Sequence, residues 1–260
     1  MGKSSAIELF RRLEQLNQIG AALSRERDIE RLLENILEAA KALTGADAGT
    51  LYSMTSDGGA LRFEIMRTDS LGIRQGGTTG QRVGLPDLPL RRADGSPNDA
   101  LVAAHAAIHE RTVNIADVYA EAGFDFSGTH AFDQRTGYRS QSFLTVPMKN
   151  HEGAVIGVLQ LINAIDPATG QVGPFSLEDQ SLTESLASQA AIALSNRLLI
   201  SQLETLFESF VKLINVAIDE KSPYTGGHCE RVPQLTMMLA EAADATTTGP
   251  LAGFRMSERD

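Results

Sequence analysis

TGYRSQSFLTVPMKNHEGAVIGVLQLIN, residues 136–163, decides the architecture. Within it, SFLTVPMKN and AVIGVLQLIN are two runs rich in apolar, β-favouring residues, joined by His151-Glu152-Gly153. Runs of this kind around a short glycine-bearing turn predict a hairpin. Their apolar density puts that hairpin at the centre of a sheet. Downstream, PATGQVGPF reads as a loop, and from Ser176 the chain turns helical to about Lys221. Ser176 and Asp179 stand like the ends of a capping box in which Asp replaces Glu.

Upstream, residues 120–141 read as loop and short helix, RTVNI as a short strand, and residues 98–110 as a short helix. Residues 70–100, rich in Gly, Pro, Arg and Asp, read as irregular with one short strand near 82–85. AGTLYSMT and LRFEIMRT flank Ser56-Asp57-Gly58-Gly59, a second hairpin signal. Before it, residues 28–43 form an amphipathic helix. Asp28 is its cap, Ile29, Leu32, Leu33, Ile36, Leu37 and Ala40 its apolar face, and Gly45 its stop. A further helix, residues 5–24, spaces Leu9, Leu13, Leu16, Gly20 and Leu23 in a 4-3-4-3 pattern. Two hairpins among helices make an α+β domain with a central antiparallel sheet flanked by helices.

The bulk composition narrows the function classes. With 42% hydrophobic and 22% charged residues over 260 positions, the chain is an ordinary globular protein, long enough for one large domain or one domain plus part of another. A net charge of -10 argues against nucleic acid or an anionic membrane as partner. The longest apolar runs fall far short of the ~20 residues that span a bilayer, and the N-terminus lacks the apolar core of a signal peptide. One cysteine, Cys229, excludes an internal disulfide and a cysteine-based zinc cluster. The expectation is a cytoplasmic protein.

Residues 136–163 closely resemble GAF domains, above all those of cyclic-nucleotide phosphodiesterases and related bacterial sensors. The resemblance rests on Thr136-Gly137-Tyr138-Arg139, Val146-Pro147 and Gly157-Val158-Leu159-Gln160-Leu161-Ile162-Asn163, and extends more loosely over 28–196. It implies a small-molecule pocket lined by central strands and the irregular stretch between them. On this chain that pocket maps onto Ile115, Ala116, Asp117, Phe124, Phe126, Phe132, Thr136, Phe143 and Thr145. The phenylalanines read equally well as plain core.

Cyclic-nucleotide-binding members carry an Asn-Lys…Phe-x-x-x-Asp-Glu signature after the hairpin. Asn163, Phe175 and Asp179 are in register with it, but Ala164 stands in place of the Lys and Gln180 in place of the Glu. The resemblance implies a Lys–Asp pair, so Asp179 must be exposed or find another partner. A cyclic nucleotide, another small ligand and an empty pocket all remain open.

From Ile192 the positions Ile192, Asn196, Leu199, Leu203, Leu206, Phe210, Leu213 and Ala217 run 4-3-4-3-4-3-4. A sustained heptad is the pattern of a coiled-coil seam, with Asn196 where a buried Asn fixes register. The expectation is a parallel homodimer. Residues 5–27 would supply a second dimerisation stripe, 28–196 the sensor domain, and 197–221 the signalling helix. Beyond lies Asp219-Glu220-Lys221-Ser222-Pro223-Tyr224-Thr225-Gly226-Gly227-His228-Cys229-Glu230-Arg231-Val232, which resembles the opening of HD and HD-GYP phosphohydrolases. That resemblance implies an all-α domain with a divalent metal, of which His228 is one ligand. No His-Asp dipeptide and no later histidine follow, so the metal site is incomplete in this chain. Residues 222–260 are expected to be a fragment of that domain, with no catalytic residue and no cofactor of its own.

Two weaker signals compete. His105 and His109, at i and i+4, could face one metal, with His130 or a carboxylate as third ligand; solvated helix histidines are the simpler reading. GGTTG (76–80) lacks the Lys-Ser/Thr ending of a phosphate loop. The functional expectation is a ligand-sensing regulatory module that dimerises and controls a C-terminal HD phosphohydrolase. The alternative is a ligand-free dimerisation scaffold within a metal-dependent phosphohydrolase.

Overall fold

The computed structural model describes residues 2–221 and 228–256. They divide into two units, 1–198 and 199–260. In the first, α1 (Gly2–Leu23) and α2 (Ile29–Thr44) precede a hairpin of β1 (Ala46–Met54) and β2 (Ala60–Thr68). Two short strands follow, β3 (Ile73–Gly76) and β4 (Leu88–Pro89), then α3 (Val102–His109), β5 (Val113–Ile115) and α4 (Ser127–Thr136). The central hairpin is β6 (Phe143–Lys149) with β7 (Val155–Ile165), and β8 (Val172–Gly173) precedes the 45-residue helix α5 (Leu177–Lys221).

All pairings are antiparallel, in the order β3-β2-β1-β7-β6-β5, with β4 on β2 and β8 on β7. The hairpin quoted first lies inside the sheet, with β7 at its centre beside β1 and β6 covered by β5. Gly157 explains how closely β7 meets β1: a Cβ there would lie 2.3 Å from the Tyr52 carbonyl oxygen, so only glycine fits. Residues 82–85, expected to hold a strand, do not; the edge strands form instead at β3 and β4. Those strands are short and carry little periodic signal, because an edge strand needs only one partner and a few hydrogen bonds.

Strand alternation gives the sheet two different faces. On one, Leu51, Ile65, Leu144, Val146, Leu159 and Leu161 pack with Leu32, Ile36 and Leu37 of α2 and Leu186 and Ala190 of α5. The period-3.6 face of α2 is thus spent on the main core. Asp28 caps α2 by accepting from the Arg31 amide at 2.8 Å, and Gly45, at φ 66°, ends it with its N–H on the Lys41 carbonyl. On the opposite face Tyr52, Leu61, Val158, Ile115, Val118 and Phe143 pack with α3.

Part of the stripe on α1, expected as a dimerisation seam, packs on its own domain. Leu16 and Leu23 are buried in the main core, and Gly20 lies against Gln189 of α5. The apolar edge of α2 and α5 is within reach inside the same chain, so α1 covers it there. The side chains of Leu9 and Leu13 lie outside the described residues.

The boundary between the units falls within α5. In the second unit, Leu203, Leu206, Phe210 and Leu213 of the expected heptad are 57–66% exposed. Helix α6 (His228–Asp244) likewise exposes Leu235, Met238 and Leu239. Residues 222–227, which carry much of the HD resemblance, and the side chain of His228 lie outside the described residues. No helix among the described residues is long and apolar enough to cross a membrane.

Candidate functional site

The second face of the sheet does not pack flat against its cover. It leaves a cavity of about 420 Å³, a size suited to a small organic ligand. The strands supply the floor because alternate residues share a face: Thr50 and Tyr52 from β1, Phe63 from β2, Phe143 from β6, Gln160 and Ile162 from β7. The N-terminal end of α3 closes one side with Leu101 and Val102. Helix α4 and its approach form the roof with Phe126, Thr129, Phe132 and Arg135.

The floor is polar but internally satisfied. The Tyr52 hydroxyl donates to Gln160 Oε1 at 3.2 Å, and Gln160 Nε2 donates to Thr145 Oγ1 at 3.1 Å. Burial pushes the Tyr52 phenol far above its ordinary range, more than a hydrogen bond with Thr50 lowers it, so it stays a neutral donor. The roof is aromatic. Phe126 meets Phe143 edge-on at 5.9 Å, and the Arg135 guanidinium sits 5.9 Å from the Phe132 ring.

The roof is pinned by a chain of buried polar contacts. Asp133 accepts from the Ser140 amide and hydroxyl, both at 2.8 Å, and from the Tyr119 hydroxyl at 2.7 Å. Tyr138 donates its hydroxyl to Asp47 at 2.7 Å; burial first, and then Asp47, drive that phenol far up. Asp47 also accepts from the Ser70 amide and hydroxyl. Asn163, at φ 61°, accepts from the Gln141 and Ser142 amides and donates to the Arg139 carbonyl. The Thr136-Gly137-Tyr138-Arg139 motif is therefore an anchoring loop between roof and sheet.

Of the nine residues expected in the pocket, Phe126, Phe132 and Phe143 line the cavity. Thr145 lies behind Gln160 and receives its amide. Ile115 and Phe124 join the adjoining apolar cluster. Ala116 is exposed, and Asp117 closes a turn by accepting from the Tyr119 amide. Thr136 donates to the Phe132 carbonyl at the end of α4. Sequence reasoning missed Tyr52, Phe63, Arg135 and Gln160. Gln160 carried a readable signal: it is the one polar residue among Val158, Gln160 and Ile162, which share a face.

The remaining signature positions are structural. Phe175 is core, and its carbonyl accepts from Asn114 Nδ2 at 3.3 Å. Asp179 closes the expected capping box, taking the Ser176 amide at 3.0 Å and hydroxyl at 2.7 Å. The cation that Ala164 cannot supply comes from α1, where Arg12 Nη1 stands 3.2 Å from Asp179. Gln180 accepts from Asn114 Nδ2 and donates to Glu184.

Comparison with known proteins agrees with this architecture. Residues 28–194 match the GAF domain family model. Over 118 residues the chain is 30% identical to a dual 3',5'-cyclic-AMP and -GMP phosphodiesterase 11A of Takifugu rubripes, a match covering 45% of this chain and 12% of that protein. Among solved structures, it is similar to the GAF domain of a phosphoenolpyruvate-protein phosphotransferase from Coxiella burnetii. That likeness has a TM-score of 0.55 at 16% identity over 75% of this chain and 98% of the other. A free methionine-R-sulfoxide reductase from Neisseria meningitidis, solved with its substrate, gives 0.51 at 18% identity over 74% and 93%. These structural likenesses concern the fold alone. With the family match spanning most of the chain and an antiparallel sheet enclosing a roofed cavity, the chain belongs to the GAF domain family.

Proposed function

We propose that this chain is a small-ligand sensor whose cavity takes a cyclic purine nucleotide, and that it regulates a C-terminal HD-type phosphohydrolase through α5. GAF domains are small-ligand-sensing regulatory modules in signalling proteins. The observation that carries the ligand reading is the pairing of an aromatic roof with a single exposed cation. Phe126 and Phe132 of the roof and Phe143 of the floor offer surfaces for a planar base, and Thr50, Tyr52 and Gln160 on the floor offer polar groups to its edge. Arg135, at the rim, is placed to receive a phosphate. The curated relative acts on cyclic AMP and cyclic GMP, which supports the same class.

Calorimetric titration with cyclic AMP and cyclic GMP, together with mass spectrometry of any co-purified molecule, tests the reading. Saturable 1:1 binding of at least one nucleotide is expected, weakened about tenfold to a hundredfold by Arg135→Ala, since a charge-assisted contact contributes about 1.5–3 kcal/mol. Arg135 is exposed, so the variant should fold normally. No heat with an empty cavity would favour the ligand-free scaffold; another bound molecule would replace the nucleotide as ligand.

The output half of the proposal rests on α5. Its exposed Leu203, Leu206, Phe210 and Leu213 are what a coiled-coil seam leaves bare in a single chain. A parallel dimer could carry a small rotation or shift along that helix. Light scattering at micromolar concentration should give the mass of a dimer, and Leu206→Glu should give a monomer with the GAF domain still folded. A monomeric parent chain would end the coiled-coil account. The apolar residues left exposed on α6 support the reading of this region as helical and packing against further helices.

A further inference from the structure

Helix α3 carries His105 and His109 one turn apart, so both side chains share one face. The loop before the helix brings Asp99 to the same place. His109 Nε2 stands 2.7 Å from Asp99 Oδ1, and His105 Nδ1 is 3.7 Å from that oxygen. One ligand atom from each of the three residues lies within 4.8 Å of the other two. The two imidazoles are in contact, ring centroids 4.4 Å apart. His105 Nδ1 is buried and has no hydrogen-bond partner. A buried ring nitrogen left unpaired costs stability, and two imidazoles packed together would repel if both were protonated.

We propose that Asp99, His105 and His109 form a divalent transition-metal site of the zinc class. Two imidazole nitrogens and one carboxylate suit zinc and its neighbours and not calcium or magnesium, which take all-oxygen shells. Metal–ligand bonds of about 2.0–2.2 Å in a tetrahedron set the ligand atoms roughly 3.3 Å apart. The separations of 2.7 and 3.7 Å straddle that value. A small rotation of the Asp99 carboxylate would exchange its hydrogen bond with His109 for metal coordination and give His105 Nδ1 the partner it lacks.

Side-chain exposures of 43% for His109 and 45% for Asp99 leave the site open to solvent, with room for water as a fourth ligand. Phe124 meets the His105 ring edge-on at 5.2 Å and fixes its orientation.

The site abuts the cavity. Asp99 lies two residues before Leu101, and Leu101, Val102 and Ala103 line the cavity wall. The carbonyl of Ala100 accepts from the Asp125 amide at 2.7 Å, tying the same loop to the approach of α4. Metal binding would therefore clamp the loop that closes one side of the ligand chamber.

The test is calorimetric titration of the EDTA-stripped chain with zinc chloride at pH 7.5, repeated with Asp99→Ala and His109→Ala. Both side chains are nearly half exposed, so both variants should keep the parent's circular dichroism. Cobalt(II) substitution, read by visible absorption, reports the ligand geometry. One equivalent of zinc is expected at micromolar affinity, weakened at least tenfold by either substitution, with a tetrahedral cobalt spectrum lost in both. Silence at 100 µM zinc, or binding that neither substitution alters, would overturn the proposal; the latter would place the metal on other histidines.

Discussion

Asn163→Ala should lower the folding free energy by about 4 kcal/mol, one of the two largest losses expected here. The estimate takes the low end of about 1–3 kcal/mol for each of the three backbone groups left unpaired, and of about 1–2 kcal/mol for placing a non-glycine, non-asparagine residue in the left-handed region. Asn163 is 3% exposed and has φ 61°. Its Oδ1 takes the Gln141 amide at 2.7 Å and the Ser142 amide at 3.3 Å, while its Nδ2 gives a hydrogen bond of 2.8 Å to the Arg139 carbonyl. Alanine removes all three contacts and fits the backbone less well. Asn163→Gly separates the two causes. It loses the same hydrogen bonds but accepts the positive φ, so it should recover about 1–2 kcal/mol relative to alanine. Urea denaturation of the three proteins gives the numbers. Equal losses for alanine and glycine would assign the whole effect to hydrogen bonding; a loss below about 1 kcal/mol for both would remove the anchoring role, given the usual size of a buried hydrogen bond.

The same residue shows what a sequence can and cannot disclose. Asn163 stood out as a signature position, and its neighbours Val158, Leu159, Leu161 and Ile162 announced a central strand. Features held by local chemistry were legible: the Asp28 cap, the Gly45 stop and the Ser176–Asp179 box all follow from residues within a few positions of one another. What Asn163 does was not legible, because its partners lie 21–24 residues away on a loop with no periodic pattern. Asp179 is a sharper case. The missing lysine left it without a partner on paper, and the cation that replaces it, Arg12, is 167 residues away in sequence.

The pocket divides along the same line. Phe126, Phe132 and Phe143 could be proposed because large aromatics in an irregular stretch beside a central strand either fill a core or line a cavity. Here Phe126 and Phe143 do both, packing edge to edge while facing open space, and Phe132 lines the cavity against Tyr138. Thr145 shares its strand face with Phe143 but lies one layer below the cavity, since Gln160 reaches across to it from β7. The floor residues Tyr52 and Phe63 come from the first hairpin. Their role depends on β1 pairing with β7, a long-range choice that strand propensity does not specify.

Glu34→Ala should cost about 3 kcal/mol, because it strands a buried cation whose partner is gone. Arg67 is 2% exposed on β2, and its Nη2 lies 2.5 Å from Glu34 Oε1. Its Nη1 donates to the Gln75 and Met66 carbonyls, which ties α2, β2 and β3 together. Glu38, 3.7 Å from Arg67 Nε, offers partial compensation and keeps the loss near the lower end of the range for broken buried pairs. Glu34 also accepts from the Thr78 amide and hydroxyl, so it anchors the segment after β3 as well. Glu34→Gln keeps the shape and an acceptor and should cost about half as much, since only the charge-assisted part of the contact is lost. The double variant Glu34→Leu with Arg67→Met removes both charges at once. It should lose less than Glu34→Ala alone, even though the Gln75 and Met66 carbonyls forfeit a donor, because no uncompensated charge remains. Urea denaturation at low and at 0.5 M salt supplies a further check: a buried pair is poorly screened, so the loss for Glu34→Ala should hardly change. If the double variant proved less stable than the single one, the guanidinium's hydrogen bonds to carbonyls would outweigh its ion pair. The result also bears on ligand reading. Arg67 borders the cavity, yet its charge is already committed to Glu34. Nucleotide affinity should therefore survive the double variant and fall only with Arg135→Ala, leaving the rim arginine as the residue that recognises phosphate.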